Sequence, residues 1–188
     1  MTDPVFDAAG YIKFDLDTGT IRSADDQGLA VVPLDLIASL QPGDALGQAS
    51  RKWGEAAGEK LAVLSLESDE PLGPEALAEH LAGSLAMAGF GRARVNIRSG
   101  ALLLELETQC EKEARPGLVA VVGGYLSGYF SSMISPDVFE AIAIEEGDDT
   151  ITFWAGNPIA VEKVRGMIDE GASPLEALDR LAREGATR

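Results

Sequence analysis

The run GLVAVVGGYLSGYFSSMI, Gly117 to Ile134, carries no charged side chain and constrains the fold more than any other stretch of the chain. Val122, Leu126, Tyr129, Phe130 and Met133 recur at helical spacing and Pro116 and Pro136 bracket them, so the run is predicted to be a buried helix. The following VFEAIAIEEGDDTITFW alternates around an acidic turn. With Glu146 to Asp149 as the loop, Ile144 is predicted opposite Ile151, Ile142 opposite Phe153 and Glu145 opposite Thr150, which gives one apolar face to lie on the helix. Gly124-x-x-x-Gly128 raises a membrane span. Glycines and serines dilute the hydrophobicity and no second apolar run exists, so a soluble chain without a span is expected, its small residues admitting a neighbouring backbone or subunit.

The same close approach is expected earlier in the chain. Asp44 is predicted to cap a long helix whose apolar stripe is Leu46, Ala49, Trp53, Ala57, Leu61 and Leu64. Gly47, Gly54 and Gly58 interrupt it, each costing about 1 kcal/mol relative to alanine. A contact that needs the missing Cβ would offset that cost. Pro74 opens a second helix with Leu77, Leu81, Leu85 and Ala88 at core spacing and His80 beside them, and Gly89-Phe90-Gly91 stops it. A hairpin follows: a Ser99-Gly100 turn sets Val95 opposite Leu104, Ile97 opposite Leu102, Arg94 opposite Glu105 and Arg92 opposite Glu107. Arg92, Arg94 and Arg98 share a face that would suit an anion, but carboxylates across the hairpin answer two of them.

Upstream, YIKFDLDTGTIRS reads as a strand with Ile12, Phe14 and Leu16 on one face, a turn at Asp17 to Gly19 and a second strand. Asp15 and Asp17 do not make a calcium loop, because Gly19 comes one place early and no glutamate closes it. Pro33 is predicted to start a short helix, PLDLIASL. Downstream, Asn157-Pro158 starts a helix that stops at Gly171, and Ser173-x-x-Glu176 is a capping box opening the last helix, with Leu175, Leu178 and Leu181 on one side. These two helices either pack back on the domain or present their apolar residues to a partner.

The formal net charge of -16 over 188 residues argues against nucleic acid as a partner. The N-terminus has neither a basic start nor an apolar core, so a cytoplasmic protein is expected. Cys110 and His80 are the sole cysteine and histidine. The first reads as a loop thiol, and the second lacks the companions a metal site needs. No cofactor is expected. GEAAGEK lacks the spacer and ending of a phosphate loop, and GFG precedes a strand where a dinucleotide site needs a helix.

In order, DALGQASRKWGEAAGEKLAVL, EALAEHLAGSLAMAGFG, RARVNIRSGALLLELET, GGYLSGYFSSM and EAIAIEEGDDTITFW resemble the superfamily joining the Bet3-like TRAPP core subunits to the bacterial 4-vinyl reductase domain, over about Val32 to Trp154. The resemblance implies an α/β (α+β) fold: a twisted antiparallel sheet against a helical layer, with an N-terminal β-hairpin and a C-terminal helical pair. The domain would span residues 1–156, followed by a helical extension, 157–188. It also implies a homodimer formed through helices and a hydrophobic tunnel for an acyl chain. SLESDEPLG lacks the cysteine that is acylated in some members. Positions 143 and 151, where many bacterial members place metal-binding cysteines, hold Ala143 and Ile151.

The leading functional expectation is a non-enzymatic dimeric adaptor or scaffold, with Gly47, Gly54, Gly58, Gly124 and Gly128 at close-packed interfaces. The alternative is a sensor or carrier holding an acyl or aromatic molecule near Trp53, Phe90, Tyr125 and Phe130. Catalysis would fall to isolated carboxylates, the most crowded being Glu145, Glu146, Asp148 and Asp149. A charged turn of this kind is ordinarily only solvated, so no enzyme is expected.

Overall fold

The computed structural model describes residues 12–15, 20–23, 28–29, 44–67, 73–98, 101–108, 110–133 and 138–186. The predicted helix from Pro33, the turn at Asp17 to Gly19, Leu16 and the Ser99-Gly100 turn lie outside them. The fold is α+β. Strands β1 (Ile12–Asp15), β2 (Thr20–Ser23) and β3 (Gly28–Leu29) form a small antiparallel sheet. Helices α1 (Asp44–Glu67) and α2 (Pro74–Met87) lead into β4 (Arg92–Arg98) and β5 (Ala101–Glu107). A 3-10 turn then opens α3 (Arg115–Met133), followed by β6 (Glu140–Glu146), β7 (Thr150–Gly156), α4 (Pro158–Asp169) and α5 (Pro174–Ala186). The main sheet is antiparallel in the order β4-β5-β7-β6.

Strand alternation sends this sheet's side chains into two cores. Leu104, Leu106, Ile151 and Phe153 meet α2 and α3, whereas Leu103, Ile142, Ile144 and Trp154 meet α4 and α5. The terminal helices therefore pack back on the domain, burying Val161, Val164, Ala177 and Leu178. The valine and leucine side chains among them contribute about 1.5–3 kcal/mol each when fully buried. Their ends carry the expected caps. Asn157 Oδ1 accepts from Ala160 N at 2.8 Å. Ser173 N donates to Glu176 Oε2 at 3.0 Å and Glu176 N to Ser173 Oγ at 3.4 Å, and the Ser173 backbone bond holds the Glu176 carboxyl below its ordinary pKa. Replacing Asn157 with alanine should cost about 1 kcal/mol, read as a lower urea midpoint with unchanged slope.

The β4–β5 register is as predicted, from Arg92 opposite Glu107 to Ile97 opposite Leu102. Charge pairing runs diagonally, however: Arg94 bonds Glu107 at 3.0 Å and not the Glu105 directly opposite, because long side chains reach across the strand twist. The β6–β7 prediction fails. Ala143 pairs with Phe153, Ile142 with Trp154 and Glu145 with Thr152, with a bulge at Ile144. Ile142 and Ile144 consequently point away from α3, and the small Ala141 and Ala143 face it. The cause is proximity. A Cβ on Gly123 would stand 3.2 Å from Ala141 O, leaving no room there for isoleucine.

Two serines on α3 use that proximity. Ser127 Oγ accepts from Ala141 N at 2.8 Å and Ser131 Oγ from Phe139 N at 2.8 Å, while each donates to the carbonyl four residues before it. Ser127 thereby satisfies an amide of the edge strand β6, and Ser131 one just before it, where an unpaired edge would invite a foreign strand. On its other side α3 crosses α1. Cβ atoms on Gly54 and Gly128 would fall on the Tyr125 and Arg51 carbonyls, and one on Gly124 would stand 2.5 Å from Gly47 O. A Cβ on Gly58 would likewise stand 2.6 Å from Tyr129 O, and one on Gly47 would meet nothing within 4 Å. The α1 face in deepest contact is thus its small-residue face, Ser50, Gly54 and Gly58, and Ala49 of the predicted stripe is exposed. Ala88 is exposed too, because the helix ends before it at Met87. Gly89 and Gly91 have φ of 78° and 132° there, a region that glycine enters without strain.

At the start of α3, Arg115 is buried and donates to the Gly147 and Asp148 carbonyls, clasping the β6–β7 turn. Lys112 pairs with Asp148 at 2.8 Å and, mainly through that hydrogen bond, lowers its pKa. Cys110, expected as a loop thiol, is 8% exposed and belongs to the core beside Ala114. The charged residues that follow it, Glu111 to Glu113, are exposed. Among the described residues, no helix is long and apolar enough to cross a membrane.

Candidate functional site

The α1–α3 crossing, by bringing two backbones together, gathers aromatic rings at its edge. Trp53 on α1 lies 4.3 Å from Tyr125 and 6.1 Å from Phe90, centroid to centroid. Tyr125 stacks on Tyr129 at 5.9 Å, one turn further along α3, and Tyr129 meets the edge of Phe130 at 5.6 Å. The four residues anticipated around a ligand, Trp53, Phe90, Tyr125 and Phe130, therefore belong to one cluster, with Phe130 joined to it through Tyr129.

Helix α2 covers the cluster with a polar stripe beside its leucines. The His80 ring stacks on Tyr129 at 6.0 Å, with Nδ1 and the Tyr129 hydroxyl 3.2 Å apart. Burial lowers the His80 pKa, which favours the neutral ring beside the Tyr129 hydroxyl. Burial, reinforced by Tyr125, raises the Tyr129 pKa. Ser84 Oγ donates to the His80 carbonyl at 2.8 Å. The Tyr125 pKa is pushed up to about 12 by burial, against a smaller lowering effect of Ser84. The hydroxyls of Ser84 and Tyr125 do not reach hydrogen-bond geometry, and Tyr125 Oη has no partner among the described residues.

A depressed histidine pKa means that the unfolded chain binds more protons in mild acid. Stability from this group is complete above about pH 6.5 and is lost as pH falls through the lowered folded value. Melting temperatures of the wild type and His80→Gln, compared from pH 7.5 to 5, should diverge in that direction: the wild type loses more stability than the variant. Parallel curves would contradict the assignment.

Beside the cluster, α2 and the β4–β5 hairpin enclose a cavity of about 150 Å3, lined by Leu77, Ala78, Leu81, Val95, Leu102 and Phe130 with the exposed Glu75 at its rim. A larger cleft of about 670 Å3 opens between α1, α3 and β6, with Arg51, Arg165, Glu140 and Glu146 among its walls. The smaller space is the better ligand site. It is the more enclosed and its walls are apolar, and those properties, more than volume, allow a small molecule to be desolvated.

His80, noted in the sequence as lying beside the leucine stripe, thus joins the cluster through Tyr129. Leu77, Ala78, Val95 and Leu102 were not anticipated as site residues, and no signal marked them, since a cavity-lining leucine has the same spacing as a packed one. The acidic residues Glu145, Glu146, Asp148 and Asp149 are exposed around the β6–β7 turn. Among the described residues, no three metal-binding side chains come together.

No protein-family model and no curated protein matches this chain. Among solved structures it is similar to the phenol-responsive sensory domain of the transcription activator PoxR, crystallised with phenol, with a TM-score of 0.56 and 16% sequence identity over 93% of this chain and 92% of that one. At that identity, the likeness establishes a shared fold.

Proposed function

We propose that this chain is a sensor domain that holds a compact, neutral aromatic molecule of the size of phenol beneath α2. The cavity carries the reading. At about 150 Å3, it matches the apolar cavities that take up benzene. Its occupant would lie against apolar walls, and Phe130 among them offers an aromatic contact. The fold likeness to a domain crystallised with phenol supports the same chemistry. Neutrality follows from the walls, which carry no cation to balance a buried anion, and from Glu75 at the rim. The adaptor role expected from the sequence has no comparable support, because Gly54, Gly58, Gly124 and Gly128, four of the five glycines that suggested it, meet α1 or α3 of the same chain.

A thermal-shift titration with phenol tests the proposal. At about ten times Kd, a ligand adds about 1.4 kcal/mol, a rise of roughly 3–5 °C for a domain of this size. Ala78→Phe, which fills the cavity, should abolish the shift. No rise in the wild type, or an equal rise in the variant, would sink the proposal.

A further inference from the structure

A ring that enters the cavity beneath α2 must also place its substituent. Leu77, Ala78, Leu81, Val95, Leu102 and Phe130 offer that substituent no side-chain hydrogen bond, and Glu75 is the sole polar residue among the described residues that line the space. A hydroxyl turned toward the leucines would be desolvated without a partner, so the ring enters best with its polar end toward the rim. Glu75 is placed to receive it. It lies in the first turn of α2, one turn before Ala78, and is exposed. Among the described residues no hydrogen bond or ion pair engages its side chain, which leaves it free to turn over the rim. A carboxylate accepts hydrogen bonds and donates none, so this rim tells donors from acceptors.

We infer that Glu75 is the specificity-determining residue of this cavity, accepting a hydrogen bond from a donor carried on the ligand's ring. This rests on the sensor reading and narrows it. The ligand class becomes phenols and neutral anilines, in preference to rings of similar size whose substituent is apolar or only accepts. A methyl group gives the carboxylate nothing to accept, and a nitrile or carbonyl would set its lone pairs against those of the carboxylate.

The test uses three single-ring probes, phenol, toluene and benzonitrile, titrated calorimetrically into the wild type, Glu75→Met and Glu79→Met. Methionine keeps the helix propensity of glutamate while removing its acceptors, and at an exposed position it leaves the fold intact. Glu79, exposed on the same helix and outside the cavity lining, controls for the loss of one charge. The expected phenol-to-toluene affinity ratio is about 3- to 10-fold lower in Glu75→Met than in the wild type, the worth of one hydrogen bond in competition with water, with toluene affinity unchanged. The benzonitrile-to-toluene ratio should not fall, and Glu79→Met should keep both wild-type ratios. A phenol ratio unchanged in Glu75→Met, or a fall matched by Glu79→Met or by benzonitrile, overturns the inference and leaves the cavity reading standing. Failure of all three probes to bind the wild type overturns the cavity reading itself. Independently of any variant, the 13Cδ resonance of Glu75 in the wild type should move on adding phenol and stay in place on adding toluene. A resonance that answers both alike, or neither, would also overturn the assignment.

Discussion

Gly128→Ala is expected to destabilise the protein by about 3 kcal/mol or more, lowering the melting temperature by roughly 6–12 °C. The added Cβ would fall on the Arg51 carbonyl and stand 2.8 Å from Glu55 N, both backbone atoms of α1. Overpacking against a flexible side chain is relieved by a rotamer change, but overpacking against a helix backbone moves the whole helix. That movement would pull Trp53 off Tyr125 and open the aromatic cluster. Gly166→Ala in α4 is the matched control. No atom lies within 4 Å of its Cβ, so it should raise stability by up to about 1 kcal/mol through helix propensity alone. Denaturant midpoints of the two variants check the contrast, and equal midpoints would mean that the α1–α3 crossing is looser than described.

Val164→Asp should be as damaging, costing at least about 3 kcal/mol, for a different reason. Val164 is 0% exposed in the core that α4 and α5 form with Leu103, Ile142, Ile144 and Trp154. A carboxylate there has no cation among the buried residues of that core. If the terminal pair is integral to the domain, its loss uncovers the sheet's second face, and near-ultraviolet signals from Trp53 and Trp154 should disappear in one transition. A variant that loses the Trp154 signal alone, with the remainder melting as in the wild type, would show α4 and α5 to be an independent appendage.

Local chemistry was legible in the sequence wherever one residue type has one physical use. Asn157-Pro158 and Ser173-x-x-Glu176 announced their caps, and the alternation of arginine and valine against glutamate and leucine fixed the β4–β5 register. The β6–β7 register was misread because EAIAI was assumed to turn its bulk toward the helix. Gly123 and Ser127 bring α3 so close that only the alanines fit, and the isoleucines fill the space under α4 and α5. The aromatic cluster could be anticipated from its residue types. The cavity could not, because Leu77, Val95 and Leu102 differ from their packed neighbours only in what fails to touch them.

The central claim is that a small aromatic molecule enters the space between α2 and the β4–β5 hairpin. Methyl-labelled NMR with phenol as titrant addresses it most directly. Saturable shifts of the Leu77, Leu81, Val95 and Leu102 methyls, with those of Val161 and Val164 unmoved, are the predicted result. Methyls of the cavity indifferent to millimolar phenol, or shifts confined to Val119 and Ile142 in the open cleft, would contradict it.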